Sequence, residues 1–316
     1  MISILITGST GFIGKALVLE LMRHDYHVSI AVRKKTRLFS DKVKQYEVGD
    51  FEYNPDFSSC LDGIDCIVHL AGKAHVIDKT KSSILNEFRK INVELTLNLA
   101  KQAVKAGVKR FIFLSSIGVN GNQNNQPFLE TDTPNPQGPY ALSKYEAEQG
   151  LFKISEKTGM EVVIIRPPLV FGADAPGNFG RLLNWVNVKY PIPLPFGSIN
   201  NSRSLVALDN LVDFTILCIS HKKAANEVFL ISDGDDLSTT QLLQNILKIY
   251  KKNTFLLPVP VSFIFFTAWL FGKKTDAVRL LSSLQVDSSK ARNLLKWKPI
   301  VKMKDQLKLK KNETYF

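Results

Sequence analysis

The chain has 316 residues, of which 45% are hydrophobic and 22% are charged. This composition is typical of a globular protein and excludes a disordered chain, a collagen and a disulfide scaffold. Lysine and arginine outnumber aspartate and glutamate by 41 to 29, which gives a formal net charge of +12. A nucleic acid, an anionic membrane or an anionic small molecule is therefore a partner to consider.

Strands and helices alternate along the first half of the chain. Apolar runs that suit buried parallel strands cover 2–6, 28–32, 66–70, 111–114 and 162–165, and apolar residues at helical spacing cover 13–23, 87–107 and 140–158. The alternation predicts an α/β fold with a Rossmann-like, doubly wound parallel sheet. The irregular, proline-containing chain that follows predicts a smaller C-terminal substrate-binding region. The predicted division is a dinucleotide-binding domain at 1–172 and a substrate region at 173–316, partly interleaved with it.

Two features bear on the compartment of the protein. Cys60, Cys66 and Cys218 fit no C-x-x-C spacing, which predicts reduced, buried thiols in a cytoplasmic protein and no metal site. Residues 255–271 read FLLPVPVSFIFFTAWLF, but prolines leave only 261–271 for a helix, roughly 16 Å long and half of a bilayer core. We predict no membrane span and a buried helix at 261–271. Peripheral membrane contact by this helix and the C-terminal lysines is the alternative.

The segment after the first predicted strand is TGSTGFIG, at 7–14. Gly8, Gly11 and Gly14 form a G-x-x-G-x-x-G pattern between a strand and a helix. Glycine allows a tight turn and a close approach of the backbone to a pyrophosphate, and the helix N-terminus supplies N–H groups and a positive dipole. The pattern predicts a dinucleotide site that includes Phe12 and Ile13.

The end of the second strand bears on which coenzyme this site takes, because an acidic residue there usually holds the adenosine ribose. Here Val32 is followed by Arg33, with no carboxylate for the ribose 2′-hydroxyl. Because a guanidinium can pair with a 2′-phosphate, Arg33 favours NADP(H) over NAD as the coenzyme. Asp50, after the third strand, is a candidate adenine contact and an equally good turn residue.

A second pattern combines a tyrosine, a lysine and a serine. Tyr140 and Lys144 lie four residues apart on one helix face, and Ser115 and Ser116 end the strand 111–114. A tyrosine with a pKa near 10 is a weak base at neutral pH, and a neighbouring ammonium favours its phenolate. With a serine hydroxyl bonded to the reacting oxygen, such a set can move a proton while a hydride passes to or from a nicotinamide ring.

These motifs resemble those of the extended short-chain dehydrogenase/reductase family, which contains nucleotide-sugar epimerases, dehydratases and reductases. The matching segments, in family order, are TGSTGFIG at 7–14, HLAG at 69–72, INVELT at 91–96, LSSIGVNG at 114–121, YALSK at 140–144, RPPLVFG at 166–172, RSLVALDNLVD at 203–213 and VDSSKARNLLKWKP at 286–299. The resemblance therefore extends over nearly the whole chain.

The resemblance also implies roles for individual residues. Ser116, Tyr140 and Lys144 would be the catalytic set, with Ser116 touching the substrate and the other two the coenzyme. Further contacts implied for the coenzyme are Leu70, Ala71, Gly72 and Pro167, and those for the diphosphate of a UDP-sugar are Asn178, Arg203 and Arg279. Lys73 and His75 are each either a contact of the sugar or a loop cation. Family members commonly form homodimers through the helices that here span about 86–106 and 140–158.

Three chemistries at C4 of the sugar are then possible. Dehydration is disfavoured because dehydratases carry an Asp-Glu pair where this chain has Ile117 and Gly118. The main hypothesis is NAD(P)H-dependent reduction of a UDP-4-keto-hexose or hexosamine in surface-polysaccharide precursor synthesis. Arg33, and Asn120 in place of the tyrosine of most epimerases, favour it. The alternative is a UDP-glucose or UDP-N-acetylglucosamine 4-epimerase with tightly bound NAD.

Two non-enzymatic functions are further alternatives. A dinucleotide-binding sensor or scaffold on the same fold is a second alternative, although such proteins generally lose the tyrosine or the lysine. A nucleic-acid-binding module is disfavoured because the sequence carries neither a helix-turn-helix nor an RNP-type motif.

Overall fold

A computed structural model describes residues 1–74, 81–188 and 193–308 of the chain. The strands are β1 (Ile2–Thr7), β2 (Tyr26–Val32), β3 (Lys44–Glu47), β4 (Cys66–His69), β5 (Arg110–Leu114), β6 (Glu161–Arg166), β7 (Leu169–Phe171), β8 (Leu205–Ala207) and β9 (Glu227–Leu230). The helices are α1 (Phe12–Leu21), α2 (Ser58–Leu61), α3 (Lys81–Arg89), α4 (Leu95–Lys105), α5 (Pro139–Thr158), α6 (Gly177–Asn187), α7 (Leu208–Ser220), α8 (Thr239–Ile249), α9 (Val261–Leu270), α10 (Lys274–Leu281), α11 (Ser289–Leu295) and α12 (Met303–Lys308).

Seven parallel strands form the central sheet, in the order β3-β2-β1-β4-β5-β6-β9. Alternate residues of β1 enter opposite layers: Ile4 and Ile6 pack with α1 and α7, and Leu5 packs with α4 and α5. Because helices cover both faces, the strands read as continuous apolar runs rather than as an alternating pattern. The predicted Rossmann-like, doubly wound fold is confirmed.

The seventh strand comes from the C-terminal half of the chain. β9 pairs in parallel with β6, with Val163 opposite Glu227. The sheet therefore draws on both sides of the predicted division at residue 172, and that division stays a prediction. A two-stranded parallel sheet, β7 with β8, lies outside the main sheet.

The predicted helix at 87–107 is interrupted by a π-helical turn, Lys90–Glu94, between α3 and α4. Asn92 lies in this turn with no exposed surface. Its side-chain amide donates to the Lys73 carbonyl at 3.0 Å and to Ser143 Oγ at 3.0 Å, and its carbonyl oxygen accepts from the Lys73 N–H at 2.8 Å. Asn92, in the π turn, thus holds the chain that follows β4 against α5.

Helix α9 forms where the sequence predicts a helix, but the prediction that it is buried is wrong. Ile264 is its one buried residue, whereas Phe263, Phe266 and Trp269 are more than half exposed. The apolar composition indicated burial, yet the described chain packs little against this helix besides α10. None of the described helices is both long enough and apolar enough to cross a membrane.

Candidate active site

The glycine turn after β1 is packed so tightly that side chains do not fit in it. Gly8 has φ of +71°, and a Cβ added to it would lie 2.6 Å from the backbone nitrogen of Ala71. A Cβ on Gly14 would lie 2.2 Å from the carbonyl oxygen of Gly8, which also accepts from the Gly11 N–H at 3.0 Å. Glycine is therefore required at positions 8 and 14, where the chain turns from β1 to α1 and contacts the residues that follow β4.

A cleft of about 370 Å³ opens beside this turn and is lined by Gly8, Ser9, Thr10, Ala31, Val32, Arg33, Lys34, Asp50 and Phe51. Arg33 and Asp50 are thus brought to the glycine turn. The Asp50 carboxylate also accepts from the Glu52 N–H at 3.1 Å, as a turn residue does. Both interpretations of Asp50 from the sequence are therefore compatible with its place in the cleft.

The cleft suits a dinucleotide for a second reason. Among the described residues, the hydroxyl of Ser9 is the one buried side-chain polar atom without a hydrogen-bond partner. An unpaired buried hydroxyl costs about 1–3 kcal/mol, which a polar ligand in the cleft would recover. The N-cap residue of the adjacent helix α1 is Gly11, which has no side chain to cap the helix. The first N–H groups of α1 are therefore available to a pyrophosphate.

The segment Leu70–Gly72 connects the glycine turn to the catalytic helix. The N–H of Leu70 donates to the Thr7 carbonyl at 3.2 Å. At the other end of the segment, a Cβ added to Gly72 would lie 3.3 Å from Lys144 Nζ. The three residues predicted to line the coenzyme therefore run from the phosphate turn to the lysine of the catalytic set.

Ser116, Tyr140 and Lys144 converge where β5 ends and α5 begins. Burial raises the pKa of the Tyr140 phenol to about 12, and the nearby Ser116 hydroxyl opposes this shift. The carbonyl of Pro167, at the end of β6, accepts from the Ile117 N–H at 3.0 Å and fixes the turn that carries Ser116. The geometry provides a proton-transfer pair, and the phenolate requires further positive charge nearby.

Lys144 supplies that charge. It is 4% exposed, its ammonium donates to the Leu114 carbonyl at 2.8 Å, and it lies 4.4 Å from the centre of the Phe113 ring. Burial lowers the pKa of Lys144 to about 8, and the negative charge of Glu148 opposes this shift. The lysine is therefore positively charged at neutral pH and titrates just above it.

A buried polar network behind the catalytic set was not found from the sequence. Glu148, 1% exposed, accepts from Arg166 Nε at 3.0 Å and from the hydroxyl of Ser115. Arg166 also donates to the Asn120 side chain at 2.9 Å, and Asn120 donates to the Leu129 carbonyl. Glu148 lies four residues after Lys144, a spacing that could have suggested it, but its pairing with a strand residue depends on the tertiary fold.

This network changes the significance of Asn120. In the sequence, Asn120 favours a reductase because most epimerases carry a tyrosine at this position. In the structure its side chain is 2% exposed and both ends of its amide are hydrogen-bonded within the network. Its identity is thus accounted for by packing, which removes one of the two arguments for reduction.

His69 and two threonines form a second buried group below the coenzyme cleft. The His69 ring contacts Thr7 Oγ1 at 2.7 Å and Thr96 Oγ1 at 2.9 Å. Burial, with a smaller contribution from the charge of Lys144, lowers the pKa of His69 to about 3. This histidine is therefore neutral and connects β1, β4 and α4.

On the predicted substrate side, the structure brings Arg203 to the end of α10. Arg203 Nη1 donates to the carbonyl oxygens of Arg279 at 2.6 Å and Ser282 at 2.9 Å, and burial lowers the pKa of Arg203. The Arg279 side chain is exposed. Asn178 belongs to α6, and its side chain lies outside the described part of the structure.

The loop after HLAG contains two further candidates. Lys73 forms ion pairs with Glu87 at 3.0 Å and Glu52 at 3.5 Å, which favours its interpretation as a loop cation. His75 lies outside the described residues.

A second cleft, of about 440 Å³, lies between the chain after Ser116 and α10. It is lined by Asn120, Gly121, Asn122, Gln123, Phe128, Asn135, Gln137 and Val278. Side-chain amides can donate and accept hydrogen bonds at the same time, as recognition of sugar hydroxyls requires. This cleft was not predicted from the sequence, although the amide-rich run GNQNNQ at 121–126 is a signal for it.

Comparison with known proteins identifies the family. The model of the NAD dependent epimerase/dehydratase family matches residues 4–232. This chain belongs to that family. It is 46% identical, over 94% of its length and 90% of the relative's, to a UDP-glucose 4-epimerase of Vibrio cholerae. It is 28% identical, over 83% of its length and 77% of the relative's, to the N-acetyl-alpha-D-glucosaminyl-diphospho-ditrans,octacis-undecaprenol 4-epimerase of Escherichia coli O157:H7.

A solved structure agrees with these relatives. The UDP-glucose 4-epimerase of Thermotoga maritima, crystallised with UDP-glucose, superposes with a TM-score of 0.77 at 27% identity and covers 98% of this chain and 97% of its own. The resemblance to the extended short-chain dehydrogenase/reductase family is confirmed, and the protein is an epimerase/dehydratase-type enzyme. The names of these relatives favour the epimerase alternative over the reductase hypothesis.

Proposed function

We propose that this protein is a 4-epimerase of a UDP-hexose or UDP-N-acetylhexosamine that retains bound NAD. The observation that carries the proposal is the meeting of Ser116, Tyr140 and Lys144 beside a glycine turn and cleft that fit a dinucleotide. The relative from V. cholerae, 46% identical over 94% of the chain, supports epimerisation rather than reduction.

Tyr140 moves the proton in this reaction. Bound NAD would supply the acceptor for the C4 hydride and, once reduced, the donor that returns a hydride to the opposite face of the keto sugar. Tyr140 takes the proton of the C4 hydroxyl, and Ser116, whose hydroxyl lies near the phenol, forms a hydrogen bond with the same sugar oxygen. The positive charge of Lys144 lowers the cost of forming the phenolate. In the reverse half of the reaction Tyr140 returns its proton to the oxygen.

Dehydration remains disfavoured by the residues next to this set. Ser116 caps a short 3₁₀ turn, Ile117–Val119, and accepts from the Gly118 N–H at 3.1 Å. These residues have no side chain that can remove a C5 proton or protonate a leaving C6 hydroxyl. The turn after Ser116 therefore supplies no second acid or base, and Tyr140 alone is sufficient for epimerisation and for reduction.

The remaining residues would hold the two ligands. We assign the diphosphate of the substrate to Arg203, Arg279 and Asn178, and the sugar hydroxyls to the amide-lined cleft. Arg33, exposed at the edge of the coenzyme cleft, would contact the adenosine end of NAD, and its preference for a 2′-phosphate remains a prediction from the sequence.

The decisive experiment needs no added coenzyme. Purified protein is denatured, the released coenzyme is identified by mass spectrometry, and the native protein is incubated with UDP-glucose or UDP-N-acetylglucosamine. We expect bound NAD and formation of the C4 epimer. A parallel incubation with polyprenyl-diphosphate-linked N-acetylglucosamine tests the substrate class named for the E. coli relative.

Two variants and one counter-assay sharpen this experiment. Tyr140→Phe should lower turnover by about 10²–10⁴-fold and keep its NAD, whereas Tyr145→Phe, one residue beyond Lys144 on the same helix, is the matched control. If the protein instead contains no coenzyme, epimerises neither sugar and oxidises NADPH with UDP-4-keto-6-deoxy-N-acetylglucosamine, the proposal is wrong and the reductase hypothesis is correct.

A further inference from the structure

Helix α9 and the residue after it present a large apolar surface to solvent. Its exposed members, here called the α9 surface, are Val261, Phe263, Phe265, Phe266, Trp269, Leu270 and Phe271. Phe271 is 80% exposed, and Phe263, Trp269 and Leu270 are each 57–59% exposed. Scattered apolar residues are normal on a protein surface, but a contiguous set of this kind indicates an interaction site.

The chain around the α9 surface carries mainly positive charge, and Asp276, two residues after Lys274, is the acidic residue nearest to it in sequence. Residues 237–275 contain no aspartate or glutamate and five lysines, at 248, 251, 252, 273 and 274. Lys273 and Lys274 are exposed directly after the apolar residues, and Lys251 is exposed before them. Asp236, which precedes this stretch, is engaged with Ser204 and Gln285. The charge next to the α9 surface is therefore complementary to an anionic partner.

Lys308, near the C-terminus, lies close to the end of α8. Tyr250 Oη, just after α8, donates to the carbonyl of Leu307 in α12 at 3.3 Å. This contact brings Lys308, the last residue of α12, to the same end of α8 as Lys251. Lys251 and Lys308 thus add positive charge at the end of α8, outside the catalytic set.

We propose that the α9 surface docks this enzyme on an anionic lipid bilayer. A helix of ten residues is about 15 Å long, too short to cross a bilayer and long enough to lie in its interface. Phenylalanine and tryptophan are the side chains that enter the boundary between headgroups and acyl chains, and flanking lysines attract anionic headgroups.

A second copy of the chain fits this surface less well. A two-fold contact through α9 would bury the same patch of both subunits and bring the lysines of both copies into one interface. With no carboxylate between residues 237 and 275 to neutralise them, the like charges would oppose association. An anionic membrane satisfies both the apolar and the charged part of the surface.

The test measures binding of the full-length protein to vesicles and requires no turnover, so it is independent of the proposed epimerase activity. We expect sedimentation with vesicles containing phosphatidylglycerol, weaker sedimentation with pure phosphatidylcholine, and release by salt. Trp269 is 57% exposed whereas Trp297 is 3% exposed, so a blue shift of tryptophan fluorescence on binding should disappear in Trp269→Phe.

Two sets of substitutions separate the apolar and charged contributions. Phe263→Ser with Phe266→Ser, and separately Lys273→Glu with Lys274→Glu, should each weaken vesicle binding by about tenfold or more. These side chains are exposed, so circular dichroism and bound coenzyme should be unchanged. Ile300→Ser, at a residue 61% exposed elsewhere on the protein, is the matched control and should bind as the original chain does.

Two results would overturn the proposal. One is a protein that stays in the supernatant with anionic vesicles at low salt. The other is a Phe263→Ser, Phe266→Ser variant that keeps its vesicle binding but changes from a larger to a smaller species in light scattering, which would make the α9 surface a contact between copies of this chain.

Discussion

We expect the protein to lose stability between pH 7 and pH 5. Replacing His69 by asparagine should make this loss of unfolding free energy smaller. The folded protein holds the pKa of this buried ring at about 3, whereas a histidine in the unfolded chain titrates near 6.5. At pH 5 the unfolded state therefore binds a proton that the folded state does not. Because the folded pKa is the lower one, acid favours unfolding, and this cost is absent above pH 7 and grows as the pH falls from 6.5 towards 3.

The size of this free-energy cost follows from the difference between pH 5 and the pKa of histidine in the unfolded chain. At about 1.36 kcal/mol for each pH unit, 1.5 units give about 2 kcal/mol. Asparagine can bond with Thr7 and Thr96 but cannot titrate. Urea unfolding at pH 7 and pH 5 should therefore show a loss of unfolding free energy about 2 kcal/mol smaller in His69→Asn than in the original chain.

Comparing the two losses cancels the cost of the substitution itself and the titration of groups common to both proteins. His27→Asn, at an exposed position of β2, is the matched control for the change of residue type. Equal losses in His69→Asn and the original chain would refute the reasoning, because they would mean that His69 accepts a proton in the folded state at pH 5.

Three other substitutions test the site. Gly14→Ala should lower the NAD content of the purified protein more than Gly11→Ala, because the added Cβ would lie 2.2 Å rather than 3.2 Å from a carbonyl oxygen of the turn; equal NAD contents would contradict this. Glu148→Gln should cost about 3–5 kcal/mol of unfolding free energy in urea by leaving Arg166 buried without its partner, and Arg166→Met added to it should recover part of that cost. Log kcat should rise with pH and level off near pH 8, where Lys144 loses its charge. In Lys144→Arg the rise should continue above pH 8. A break in the profile that persists in this variant would mean that the titration of Lys144 does not cause it.

The features predicted well from the sequence are those that depend on residues close together along the chain. The glycine turn follows from the spacing of Gly8 and Gly14, and the shared face of Tyr140 and Lys144 follows from the helical repeat. The partnership of Glu148 and Arg166 depends instead on α5 packing against the end of β6, and no local pattern encodes that contact.

Helix α9 shows a different reason for failure. Its composition predicts a helix and a preference to avoid water, and both follow from the side chains alone. Burial, however, requires another element to cover the helix, and that depends on the path of the whole chain. The π turn around Asn92 is similar, because the repeat of apolar residues continues through it and does not reveal the additional residue.

The position of β9 in the sheet has a consequence for how the protein is made. Glu227, at the start of β9, lies 61 residues after the end of β6 at Arg166. At roughly 5–20 residues per second, β6 emerges from the ribosome seconds before the strand that covers its edge. During that time the apolar run VVII has an unpaired backbone edge, which is a template for incorrect pairing. Synthesis that stops at residue 172 would leave this edge of β6 open permanently, so we expect a chain that ends there to be prone to aggregation.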